Sequence, residues 1–228
     1  MPPQPQPRPP RSYTAFWTNG LCRELAREGY GGLRPTILFG GPYTSMPGFV
    51  RAGVRPGDRI HPVRVHRAEL HVLGTMEVAR IVPYEDAGSV LADEDYAKLL
   101  FWRSLKTNSV TEVLLGPPGA PLTFDNPVPR TVLERLTYTS DRRGDRGVKF
   151  LAEGRLTRPH SVQGIYRLAP HSAADLDALV RDRHRRPDAA ARQAAGVYLR
   201  PGPGCTQAAS PAARRFVAYG HADHRQVP

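Results

Sequence analysis

Proline and glycine recur so often along this chain that no long helix can run through it. The 24 Pro and 21 Gly among 228 residues either remove a backbone donor or admit turn conformations. That load excludes a helical bundle or coiled coil and falls short of a collagen-like chain. What remains is an ordinary domain of short elements with Pro-rich or Ala-rich ends, long enough to bury a core.

Residues 1–11 read as a polyproline-like tail with no apolar run, so they are not a secretory signal. Order is expected over 12–185, and 187–228 read as a Pro/Ala/Arg-rich extension. Tyr13 to Trp17 is aromatic and β-favouring, Asn19 looks like an N-cap, and Leu21, Cys22 and Leu25 form a short helical stripe ending at Gly29. Thr36 to Phe39 is a second strand. The clearest β signal is Arg59 to Val65 with Glu69 to Val82. A turn at Arg67-Ala68 sets Val65 opposite Leu70 and Val63 opposite Val72. Alternation then puts Val63, Val65, Leu70, Val72, Met76, Val78 and Val82 on one face, and His66, Glu69 and His71 on the other. Asp93 can cap a helix through Arg103, and Pro129 can start one through Leu136. Residues 142–147 read as a charged loop, and 155–168 contain a final strand centred on Val162 to Leu168. Ser172 with Asp175 resembles a capping box for a helix ending in Arg181, Arg183, Arg185 and Arg186.

Formal net charge is +11, from 32 basic and 21 acidic residues. Such a balance favours phosphate-rich partners. Lysine occurs only at Lys98, Lys106 and Lys149, so part of the charge reflects an Arg-rich composition. Cys22 and Cys205 make no disulfide framework, and a reduced, cytoplasmic protein is the default. No stretch reaches the length of a membrane span, so no membrane partner is expected. Phosphate-loop, dinucleotide and nucleophile-elbow motifs are absent, and nothing calls for a cofactor.

His61, His66 and His71 recur every five residues, which on strands does not converge them, so no metal is expected. Cys205, His221 and His224 lack a fourth ligand. His61 falls on the core face, as a buried histidine or a pocket residue. Trp17, followed by Thr18 and Asn19, suits base stacking beside polar groups, as do Tyr43 and Ser45 on their Gly/Pro loop. Arg142, Arg143 and Arg146, with Arg183, Arg185 and Arg186, are candidate phosphate contacts. Lys106, Thr107, Thr111 and Glu112 are the densest set able to activate a hydroxyl or water. Pro5 to Pro10 could instead dock in an aromatic groove, making the chain a protein-interaction module.

The Pro56-Gly-Asp-Arg-Ile60 turn entering a strand, followed by Gly74, Val78 and Ile81 on the returning strand, resembles the PUA-like superfamily, especially its EVE and ASCH branches. The resemblance implies an α+β, mainly β fold: a small curved β-barrel flanked by short helices. It also implies a cleft for nucleic acid or a flipped modified base, with Trp17, Asn19 and His61 as pocket residues. His61-Pro62 stand where the EVE pattern carries an aromatic residue. The ASCH branch includes hydrolases using Lys, Thr and Glu, for which Lys106, Thr107 or Thr111, and Glu112 are available. The expectation is therefore a non-catalytic nucleic-acid binder, with a hydrolase of modified nucleosides or RNA as the alternative.

Overall fold

A computed structural model describes residues 8–42, 48–93, 95–96, 110–185 and 216–218. Strand β1 (Ser12–Phe16) leads into α1 (Asn19–Arg27) and β2 (Pro35–Gly40), followed by β3 (Arg59–His66), β4 (Glu69–Val72), β5 (Met76–Glu77) and β6 (Arg80–Pro83). After the short helix α2 (Ala87–Val90) come β7 (Glu112–Leu115), α3 (Arg130–Arg135), β8 (Thr137–Ser140), β9 (Gly144–Gly147), β10 (Leu151–Ala152), β11 (Arg155–Leu156), β12 (Ile165–Arg167), α4 (Pro170–Arg185) and β13 (Phe216–Ala218).

One sheet has the order β12-β1-β3-β4, with β5 also on β3, and a second has the order β13-β2-β7-β6. β8–β9 and β10–β11 are separate hairpins. The fold is mainly β with helices packed alongside. The expected small barrel is not closed by the described strands, which form open sheets. Residues 216–218, in the C-terminal extension, lie parallel to β2.

The first sheet is buried on both faces, which is why β3 is buried almost continuously. One face joins α1 and the second sheet in a core of Tyr13, Trp17, Leu21, Leu25, Phe39, Ile60, Met76 and Val113. The other packs Val63, Val65, Leu70 and Val72 against Leu133, Leu136, Tyr138, Leu176 and Val180. The expected pairs Val65–Leu70 and Val63–Val72 are found. Met76, Val78 and Val82 are not on that face; they belong to the first core. The run 69–82 is three short strands, and the break at residues 73–75 shifts the alternation by one residue.

Other local expectations are corrected in the same way. Thr18, not Asn19, caps α1, its Oγ1 accepting from the Leu21 amide at 3.2 Å. Ser172 sits inside α4 and accepts from the Thr137 amide at 2.8 Å, tying the helix to β8 rather than capping it. The charged loop at 142–147 is a turn followed by β9. The last strand begins only at Ile165, because a 3-10 turn at Pro159–Val162 and Gly164 precede it. Residues 8–11, expected in the tail, are pinned by buried Asp58. Its carboxylate accepts from Arg8 Nη2 at 2.5 Å, the Arg11 amide at 2.8 Å and the Arg55 amide at 2.8 Å. This gives the Gly57-Asp58 turn a structural reason: one carboxylate gathers the strand entry and the N-terminal segment.

The β3–β4 turn forces Arg67 and Ala68 to φ values of 51° and 66°. Two left-handed residues in sequence are the signature of a type I′ hairpin, usually filled by Asn-Gly. Ala68→Gly is therefore expected to stabilise the fold by about 1 kcal/mol, read as a raised urea midpoint with an unchanged slope.

Candidate nucleic-acid interface

Five separate segments build a cleft of about 330 Å³. Arg34 precedes β2, Arg59 opens β3, Thr75 precedes β5 and Glu77 ends it. The 117–120 turn forms one wall, and α4 forms the other through Asp177, Val180, Arg181 and His184. Those helix positions recur at three- and four-residue intervals, which places them on one face.

Asp177 organises the floor. Its Oδ2 accepts from Arg59 Nη1 at 2.6 Å, while its Oδ1 stands 3.7 Å from His61 Nε2. His61 is fully buried on the α4 side of β3. Burial pushes its pKa down to about 4, the Asp177 carboxylate opposes this, and Arg59 adds to it. The imidazole is thus neutral at neutral pH, and neither ring nitrogen has a hydrogen-bond partner among the described residues. Thr14, beside His61 in the β1–β3 register, and Tyr138 also bury their hydroxyls there. Burial pushes the Tyr138 phenol up, and Thr14 is close enough to oppose the shift. Arg34 Nη1 donates to the Gly119 carbonyl at 3.0 Å. His184 is held below its usual pKa by burial first and then by Arg34. Arg181 is exposed and forms no ion pair among the described residues. The cleft therefore presents three guanidiniums, that of Arg59 paired to Asp177, with the Glu77 carboxylate also in the lining and neutral His61 buried behind Asp177. That arrangement suits a phosphate group, which accepts bidentate hydrogen bonds from Arg.

The residues expected from the sequence are dispersed. Trp17 is 3% exposed and belongs to the first core. A base could reach it only by opening that core, so its role is packing. Asn19 Nδ2 donates to the Val65 carbonyl at 2.8 Å, which locks α1 to β3. Tyr43, Ser45, Lys106, Thr107 and Arg186 lie outside the described residues. Thr111 is exposed just before β7 and Glu112 is buried as its first residue, so the two do not converge. Glu112 Oε1 accepts from the Phe49 and Val50 amides. Burial raises its pKa, and the two amides oppose the rise. Its evident work is to fix the turn at 49–53.

The six arginines proposed for phosphates split into two groups. Arg142 and Arg143 are on the β8–β9 turn, and Arg146 lies over the Tyr166 ring at 5.4 Å. Arg183 and Arg185 are on the last turn of α4. That helix has 16 residues, about 24 Å, and its first turns are the ones tied to β8. His71, which alternation sets on the face opposite Val63 and Leu70, is 2% exposed. Burial and then Arg64 lower its pKa. No group of three or more His, Cys, Asp or Glu among the described residues is placed to hold a metal. Cys22 is a buried thiol pushed up to about 12 by desolvation, with Arg64 opposing. No described helix is long and apolar enough to cross a membrane.

The sequence did not single out Arg34, Arg59 or His184. Only the helical spacing of 177, 180, 181 and 184 was a local signal, and nothing local says that β5 and Arg34 face it.

No family model matches the chain, and no curated protein matches it. Solved structures similar to it include ASCH from Zymomonas mobilis, at 13% identity and a TM-score of 0.33, covering 74% of this chain and 95% of that one. Two point mutants of the same protein are similar at 13% identity, with TM-scores of 0.33 and 0.34. They cover 75% and 74% of this chain and 99% and 98% of theirs.

Proposed function

We propose that this protein binds nucleic acid non-catalytically, with the cleft at Arg34, Arg59 and Arg181 as a backbone-phosphate site. The observation that carries the reading is the convergence of these guanidiniums from three segments on one concave surface. The +11 charge of the chain supports it by drawing polyanions to the surface. Among the described residues no Phe, Tyr or Trp lines the cleft, so it addresses phosphate rather than the face of a base. A role in reading modified bases therefore needs an aromatic surface elsewhere. Glu112 is engaged by backbone amides, which favours the non-catalytic reading over the hydrolase.

Fluorescence anisotropy with labelled RNA and DNA, repeated over a salt series, tests this. Binding should weaken linearly as log salt rises. The double variant Arg34→Ala/Arg181→Ala should weaken binding to all sequences alike and reduce the salt slope by about two. No binding at low salt would end the proposal. An unchanged slope in the double variant would remove the cleft from it.

A further inference from the structure

Phe150 presents an apolar ring in a strongly basic segment. It is 43% exposed, and it and Val50 are the exposed large hydrophobics among the described residues. Its φ is 55°, a left-handed conformation that is an outlier for a bulky side chain. The conformation is held from behind. The Phe150 carbonyl accepts from the Thr157 amide at 2.8 Å and from Thr157 Oγ1 at 2.9 Å. These bonds close the neck of the β10–β11 hairpin, whose turn is made by Glu153 and Gly154 at φ 48° and 74°. A backbone strained in this way keeps the ring outside the core rather than letting it turn in beside Leu151 and Leu156.

The ring already has cationic company. The Arg158 guanidinium lies 4.8 Å from its centroid, and the His160 ring stands 5.5 Å away at 64°, edge to face. Residues 142–158 carry six cations and two carboxylates, Asp145 and Glu153. Asp141, just before them, is engaged by Arg167 at 2.7 Å. An aromatic face set among arginines is the arrangement on which an unstacked base rests while flanking phosphates meet the cations. A duplex keeps its base faces covered by stacking, so it cannot use this ring. The chemistry selects a single strand.

We propose that Phe150 is a stacking platform for one base of single-stranded nucleic acid, with Lys149, Arg155 and Arg158 meeting the phosphates on either side. The proposal rests on nucleic acid being the partner, but it concerns a surface distinct from the Arg34–Arg181 cleft.

The test is anisotropy titration of the full chain with a short labelled oligoadenylate strand and with a duplex of the same length. Wild type should prefer the single strand. Phe150→Ala should lose about ten-fold in single-strand affinity, within a span of about 5- to 150-fold for a lost stacking partner, and leave duplex affinity unchanged. Phe150→Trp should restore single-strand binding, while Phe150→Leu, apolar but without a π face, should not. Circular dichroism should show the same fold in all variants, because the ring is outside both cores. Equal single-strand affinity in wild type and Phe150→Ala would overturn the proposal, as would full rescue by Leu or an equal loss on duplex. The two readings fail differently. Wild type that binds neither probe at low salt ends both. Binding that Arg34→Ala/Arg181→Ala weakens and Phe150→Ala does not ends only this one.

Discussion

Gly119→Ala is expected to destabilise the protein by about 3 kcal/mol and to lower its melting temperature by about 6–12 °C. A Cβ at Gly119 would lie 1.8 Å from the Thr75 carbonyl oxygen and 2.9 Å from its carbon. Both are backbone atoms, so no rotamer change relieves the clash. The segments cannot simply part, because Ala120 N donates to the Thr75 carbonyl at 3.0 Å and Gly119 N to the Pro35 carbonyl at 3.1 Å. Separating them gives up these bonds, and buried unpaired amides are costly. The effect should extend to binding. Gly119 lines the cleft, and its carbonyl holds Arg34, so a displaced turn moves one of the three guanidiniums. Gly147→Ala is the matched control, since nothing lies within 4 Å of its would-be Cβ. Thermal unfolding of both variants decides the matter; equal melting temperatures would show that the 117–120 turn yields freely.

The contrast between Gly119 and the β3–β4 hairpin marks what the sequence could and could not reveal. Pairing of Val63 with Val72 and Val65 with Leu70 was legible, because period-two alternation and a short turn are both local. The same reasoning failed at Met76, where residues 73–75 shift the register and send the chain to the other core. Alternation carries no record of such a break. Trp17 and Phe150 show a related limit. An aromatic residue in a β-favouring run suits both core and pocket, and Trp17 lies in the core. One in a charged segment carries no local signal, and at Phe150 the left-handed backbone and the hairpin behind it leave the ring at the surface. The cleft was illegible for a third reason. Arg34, Arg59, Glu77 and Asp177 are brought together only by the crossing of β3, β5 and α4, and long-range convergence leaves no spacing in the sequence. His61 lies between these cases: alternation placed it on the core face, and the structure adds that nothing but Asp177 approaches its nitrogens as an ion-pair partner.

That placement makes the fold acid-sensitive well above the carboxylate range. The unfolded chain protonates His61 near its ordinary pKa of 6.5, whereas the folded chain resists until about 4. Between those values the unfolded state binds more protons, so stability falls as pH is lowered from about 6.5 to about 4 and is fully present above. A difference of this size corresponds to about 3 kcal/mol from this one group. His71 and His184 are shifted in the same direction and add to the slope. Glu112 acts the other way. Its raised pKa means that the folded state takes up a proton first, so that group favours the folded state as pH drops. Asp141, lowered by Arg167, loses its contribution only in stronger acid. The net expectation for wild type is a urea midpoint that declines between pH 6.5 and 4. His61→Leu should retain most of its pH 7 stability and show a shallower decline, because it removes both the titrating group and two unpaired buried nitrogens. An identical decline in wild type and His61→Leu would mean that the histidine is hydrated or hydrogen-bonded in the folded state. A protonated His61 would also compete with Arg59 for Asp177, so acid that loosens the core should loosen the cleft wall with it.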